Sequence, residues 1–324
     1  MKLIEPKVEL ILQEPGIEGV YKQIELVGRS CWMSQDHIKE GSAELFVKNL
    51  VKNTHTSCLE HGTVYLTIPY AVSKREYPHD YLPNCIGNYV NNKYSKVKTV
   101  WPSDDCACDC VTTNYRVLVE NGWLDDLKYL SNPTIYHSRR LTFHFTCSRA
   151  ISAEFNRHRA NSPMESSTRY CNFSKDKFGN EISICPSVAV VHPEEFKDVN
   201  QDLLYFCDMI AHELDNQFDR LDWWTFANLA SERTYMELLK QGMKAEEARD
   251  ILPLDLKTEL YHTAFVEDWI HFCNLRAIDS PGNKPHPEAK RLARQVLTYL
   301  YLLDEAGTID IRKYEIRGQI STDK

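Results

Sequence analysis

Ser148 to Tyr170 reads S-R-A-I-S-A-E-F-N-R-H-R-A-N-S-P-M-E-S-S-T-R-Y, and the understanding of the whole chain starts there. Arg149, Arg157, Arg159 and Arg169 stand with His158 against Glu154 and Glu165, so four positive and two negative charges leave the stretch at +2 inside a chain of net charge -8. Ala150, Ile151, Ala153 and Phe155 suit a helix with one buried side. Asn161-Ser162-Pro163 ends it, because proline disfavours helical geometry in the residue before it. Arg157-His158-Arg159 therefore falls at a helix end or on the next loop, and three consecutive residues cannot share a helical face. Two guanidiniums and an imidazole turned in different directions suit a ligand with several anionic or hydrogen-bonding edges, since a guanidinium grips phosphate with two parallel donors. Glu165, Ser166, Ser167, Thr168 and Arg169 add an acceptor, three hydroxyls and a further cation. On composition alone, a solvated basic turn with capping serines accounts for the same residues.

The rest of the chain bounds the possibilities. With 324 residues, 43% hydrophobic and 26% charged, it has the make-up of an ordinary globular protein with a large core. We expect a single domain over 1–324. No apolar run approaches the roughly 18 to 20 residues that cross a bilayer. The opening M-K-L-I-E-P-K-V-E-L carries acids and a proline where a secretory signal has an apolar core, so a cytoplasmic protein with no membrane partner is expected. A pI near 5.9 argues against a protein that coats nucleic acid. The eleven cysteines are scattered apart from Cys106, Cys108 and Cys110, and they read as reduced. C-A-C-D-C lacks the C-x-x-C spacing and a matched second half, so a partly exposed loop is preferred to a metal site. His55 and His61, with Glu60 between them, also miss the usual zinc spacings, and no metal is expected.

Taken in order, the short apolar runs of residues 1 to 31, broken by Pro15-Gly16, read as strand and turn. Ser42 to Asn53 reads as an amphipathic helix capped by Ser42. Thr63 to Ile68 and Leu141 to Thr146 read as strands. Between them, 69–140 reads as an insertion rich in Tyr, Asn, Pro and Lys, with a helical piece at Tyr115 to Leu130, and its length demands structure of its own or a partner to cover it. Ile182 to Val191 reads as a short strand. Helices are expected over roughly 194–220, 223–241, Lys244 to Ile251, Thr258 to Ala277 and Pro287 to Leu303.

Arg157-His158-Arg159, seven residues, then Ser167 with Thr168-Arg169-Tyr170 resembles the signature of the flavin-dependent thymidylate synthases. Three other segments carry the resemblance: T-H-T-S-C-L-E-H at 54–61, E-E-A-R-D-I-L-P around Arg249, and H-F-C-N-L-R at 271–276. The resemblance implies an α+β fold, a central and mainly antiparallel sheet flanked by helices, with the core sheet starting after His61 and a homotetramer whose sites draw on several subunits. It implies reductive methylation of dUMP to dTMP with 5,10-methylenetetrahydrofolate as carbon donor, FAD as cofactor and NADPH as reductant.

Residue by residue, the resemblance gives Ser57, Arg157, His158, Arg159, Glu165 and His271 to the flavin, with His55 and Glu60 shaping the same wall. It gives Glu154, Arg157, Glu165, Ser166, Ser167, Thr168, Arg169, Arg249 and Arg276 to the nucleotide, with Arg276 polarising the uracil ring as the catalytic group. Glu288 and Arg291 also match. Departures are Cys31 in place of a serine, Glu154 in place of a glutamine, Phe265 and Val266 in place of polar residues, and Glu267 in place of an arginine. These motivate two alternatives: a related flavoenzyme acting on another pyrimidine nucleotide, and a non-catalytic flavin- or nucleotide-binding homologue.

Overall fold

Alternating side chains on two long strands set up the centre of the molecule. Leu141, Phe143, Phe145 and Cys147 point to one side of their strand, and Leu260 and Ala264 do the same on the neighbouring one. The computed structural model describes residues 1–71, 84–103, 106–169, 171–174, 179–186, 218–279 and 284–316. Its strands are β1 (Lys2–Leu3), β2 (Lys7–Ile11), β3 (Thr63–Ala71), β4 (Lys96–Ser103), β5 (Cys106–Asn114), β6 (Arg140–Ser148), β7 (Ser162–Glu165), β8 (Ser183–Ile184) and β9 (Lys257–Phe265). Its helices are α1 (Gly16–Cys31), α2 (Ser42–Lys52), α3 (Asn84–Val90), α4 (Tyr115–Asn121), α5 (Arg149–Phe155), α6 (Arg220–Lys240), α7 (Ala245–Ala248), α8 (Val266–Arg276) and α9 (Pro287–Glu305).

The central sheet has the order β2-β6-β9-β7 and is antiparallel throughout. One face packs on Ile151 and Phe155 of α5, Trp269 and Phe272 of α8, and Leu292, Val296 and Leu300 of α9. The other meets α1 and α2 through Met164 and Tyr261, which join Val20, Ile24, Val27 and Leu50. The fold is α+β, with helices on both sides of an antiparallel sheet. Among the described residues, no helix is long and apolar enough to cross a membrane.

Several expectations from sequence are corrected. Gly16–Cys31 is a helix and not strand and turn: Val20, Ile24 and Val27 recur at helical spacing and are buried. Thr258 to Phe265 is strand β9, and the helix begins only at Val266. Because β9 lies between β6 and β7 with most of its residues buried, it lacks the apolar-polar alternation that marks a half-exposed strand. Gly41, at φ 74°, occupies the N-cap of α2 in place of Ser42, whose hydroxyl accepts from the Lys39 amide and donates to Glu25. The Tyr115 to Leu130 helix is two pieces, α4 and a 3-10 turn at Leu124–Tyr129, parted by Gly122 at φ 72°.

The 69–140 segment builds a second sheet, β3-β5-β4, and β3 belongs to it rather than starting the central sheet. Cys106 to Cys110 lies in its middle strand, and Cys108 and Cys110 are buried, which corrects the exposed-loop reading. Only Ser183–Ile184 of the expected 182–191 strand is paired within the described residues. The expected 194–220 helix lies almost wholly outside them.

Three buried groups determine how stability depends on pH. His61 and His262 are held neutral, their pKa values lowered to about 3 chiefly by burial. Glu288 is buried with one carboxylate oxygen lacking a partner among the described residues, and burial raises its pKa to about 7. Between pH 4.5 and 6.5 the unfolded chain binds two histidine protons that the folded one refuses, while the folded chain keeps one glutamate proton that the unfolded one releases. The net difference of one proton makes stability fall with acid by roughly 1.4 kcal/mol per pH unit from these groups. Glu288→Gln removes the opposing contribution. Urea unfolding between pH 5 and 6.5 is expected to show a steeper acid loss in that variant than in the parent, and an unchanged slope refutes the assignment.

Candidate active site

Helix α5 begins at Ser148, whose hydroxyl accepts from the Ile151 amide, and is over by Phe155, so Arg157-His158-Arg159 lies in the turn that leads to β7. Pro163 in that strand costs no sheet bond inside the sheet because β7 is an edge strand. Phe155 and Phe272 anchor the turn: the His158 ring meets Phe272 edge-on at 4.8 Å, and His271 lies 6.4 Å away.

Arg276, the last residue of α8, reaches across to this turn. Its Nε donates to His158 Nε2 at 3.1 Å, one terminal nitrogen donates to the Glu154 carboxylate at 2.8 Å, and the other to the Glu154 carbonyl at 3.2 Å. Burial first, and the adjacent guanidinium second, push the His158 pKa down to about 4. The imidazole is therefore neutral near pH 7 and free to accept from Arg276. Arg157 and Arg159 are exposed and make no ion pair among the described residues.

Glu165 ends β7 and is held by four donors. Arg149 donates at 3.0 Å, Ser152 at 2.7 Å, Asn156 at 3.2 Å and Thr258 at 3.0 Å. Arg149 also donates to the Ser166 carbonyl at 3.0 Å. The Ser166 hydroxyl is buried between Thr258 and the Glu259 amide, so it ties β7 to β9 from the inside. The Ser167 amide donates to the Cys31 carbonyl, which brings the end of α1 to the motif.

A second basic group sits where the segment after β7 meets α7. Arg169 pairs with Glu246 at 2.8 Å, and Arg249 donates to the Glu246 carbonyl at 3.1 Å and to the Thr168 hydroxyl at 3.4 Å. Ser57 and His55 are exposed on the 3-10 turn Thr56–His61 and its N-cap, with His55 beside the Trp32 ring, and Glu60 pairs with Arg116. The structure thus joins Arg276 with Glu154, His158 and His271, and joins Arg169 with Thr168 and Arg249. It shows no contact between the two groups within one chain among the described residues. Tyr170 lies outside those residues.

The residues missed from sequence are those that hold others in place. Arg149, Ser152 and Asn156 fall at i, i+3 and i+7 on one side of α5, a spacing legible in the sequence. Thr258 and Glu246 were not legible, because β9 was read as helix and Glu246 acts only through the approach of α7 to Arg169. Among the described residues, no group of three or more His, Cys, Asp or Glu side chains has the geometry of a metal site.

Residues 101–302 match the family described as Thymidylate synthase complementing protein. A flavin-dependent thymidylate synthase from Synechocystis sp. is 30% identical over 165 residues, 50% of this chain and 68% of that protein. Another, from Thermosipho africanus, is 28% identical over 137 residues, 42% of this chain and 54% of that protein. The chain spans little more than half to two thirds of the length of these relatives. A solved structure of a UMP/dUMP methylase PolB from Streptomyces cacaoi, bound with 5-Br dUMP, aligns with 94% of this chain and 93% of that one at a TM-score of 0.41 and 16% identity. The family match takes in β6 to α8, and with them every residue that holds Glu165 and Arg276, so the chain is an enzyme that belongs to the flavin-dependent thymidylate synthase family, the family described as Thymidylate synthase complementing protein.

Proposed function

We propose that this enzyme methylates the uracil ring of dUMP to give dTMP, with 5,10-methylenetetrahydrofolate supplying the carbon, FAD as cofactor and NADPH as reductant. One observation carries the reading. Arg276 is fixed by three hydrogen bonds beside a neutral His158, at the turn that also presents Arg157 and Arg159. A flat anionic cofactor fits that turn: two exposed guanidiniums and the neighbouring imidazoles of His158 and His271 offer charge and stacking edges, and Glu154 is the carboxylate bound to Arg276 there. When bound, a flavin supplies the hydride that no side chain can.

Arg157, His158, Arg159, Ser57 and His271 would hold the flavin. Arg169, Arg249, Thr168 and Ser167 would hold the nucleotide phosphate and sugar. Arg276 would face the uracil N3 and O2, where its permanent charge stabilises negative charge that develops as C5 becomes nucleophilic. Glu165 would act by positioning, since its oxygens are occupied by Arg149, Ser152, Asn156 and Thr258. The separation of the Arg276 group from the Arg249 group within one chain accords with sites completed by neighbouring subunits, and a homotetramer is part of the proposal.

Glu154 favours a second reading, action on a different pyrimidine nucleotide. Its carboxylate already occupies the edge of Arg276 that a base would use, and an ionised carboxylate only accepts, so it discriminates among rings and sugars by the donors they bring. Purified protein is expected to show a flavin absorbance band that NADPH bleaches. It is also expected to release tritium from 5-tritiated dUMP only when methylenetetrahydrofolate is present. Bound flavin with no release from dUMP, but release from 5-tritiated UMP, selects the second reading. No release from either overturns both.

A further inference from the structure

A cavity between the 69–140 segment and the segment after α9 gathers charge that the site around Arg276 does not use. It encloses about 240 Å³, and its walls include Lys96 of β4, Arg139 just before β6, Phe265 at the start of α8, and Arg312, Lys313 and Tyr314. Three carboxylates also face it, and each is answered: Glu267 by Lys96, Asp310 by Arg312 at 3.2 Å, and Asp304 by the Ile311 amide at 2.9 Å. Arg139 and Lys313 make no ion pair among the described residues.

Lys96 lies 4.3 Å over the Phe265 ring, and its ammonium is pushed toward neutrality by burial first and by the charge of nearby Lys313. Cations that converge on one hollow repel each other unless an anion sits between them. The volume is below the roughly 300–1,000 Å³ of pockets that enclose a whole drug-sized ligand, so the hollow suits a charged group and not a complete dinucleotide. Its place on α8 is informative. His271 follows Glu267 by one turn, about 6 Å along the axis, and Arg276 lies about 14 Å from Glu267, so the cavity and the candidate active site occupy the two ends of one helix.

We infer that this cavity binds the phosphate or diphosphate group of a ligand, with Lys96, Arg139 and Lys313 as its cations, and that the 69–140 segment serves to deliver the first two. The anion has two possible sources. One is the diphosphate of the flavin dinucleotide, in which case the inference rests on the function proposed above. The other is a free phosphate-bearing molecule.

An Arg139→Met/Lys313→Met double variant tests this while leaving the Lys96–Glu267 pair intact, with Lys313→Met alone as the milder control should the double variant melt early. Flavin affinities follow from fluorescence quenching, and inorganic pyrophosphate is added in thermal unfolding. If the cavity takes the cofactor diphosphate, the variant weakens FAD binding about tenfold or more while riboflavin affinity stays within about twofold of the parent. If it takes a free anion, pyrophosphate raises the Tm of the parent and not of the variant, and FAD affinity is equal in the two. Equal FAD affinities together with no pyrophosphate protection overturn the inference. Failure of both proteins to bind any flavin counts against the proposed function, and the pyrophosphate comparison then decides the cavity by itself.

Discussion

Replacing Arg276 with alanine is expected to lower kcat by about 10² to 10³, the loss seen when one fixed group that stabilises developing charge is removed. Substrate affinity is expected to change much less, because the phosphate is assigned to Arg169 and Arg249, outside the Arg276 cluster. The variant has a second readout that needs no turnover. Arg276 is one cause of the depressed His158 pKa, so its removal is expected to raise that value while burial keeps it below that of a free imidazole. An NMR titration of His158 measures this directly. Lysine in place of arginine keeps a charge but loses the fork that engages His158 and both oxygens of Glu154 at once, so it is expected to restore only part of the rate. Wild-type turnover in the alanine variant removes the ring-activating role.

Glu165→Ala is expected to destabilise the protein by roughly 2–3 kcal/mol, below the 3–5 of a fully buried pair because both partners keep some solvent contact. The loss leaves Arg149 without its carboxylate and frees Ser152, Asn156 and Thr258 together, so α5, β7 and β9 lose their shared anchor. Activity is expected to fall with it, since the turn that carries Arg157 to Arg159 lies between α5 and β7. Glu165→Gln keeps one acceptor oxygen and is expected to recover about half the stability. Urea unfolding checks both, and an alanine variant with the parent midpoint refutes the anchoring role.

What the sequence by itself determined was the site's list of parts and the local elements whose periodicity was strong. The R-H-R turn, Ser167, Arg249 and Arg276 were identifiable because each sits in a short motif, and β3, β6, α2 and α9 because one face of each is apolar at the right period. Glycine and proline gave the ends of α5 and α6 for the same local reasons. Only the tertiary structure decided the rest. β9 is covered on both sides, which erases the alternation that would have marked it, and α1 is recognisable only once Val20, Ile24 and Val27 meet the far face of the sheet. Which carboxylate answers which guanidinium depends on chain segments more than a hundred residues apart, as with Glu154 and Arg276, and electrostatic pairing leaves no periodic trace in a sequence. The charged cavity between the 69–140 segment and the end of the chain has the same origin: Lys96, Arg139 and Lys313 carry no common motif, and only the packing of two sheets around α8 puts their charges at one place.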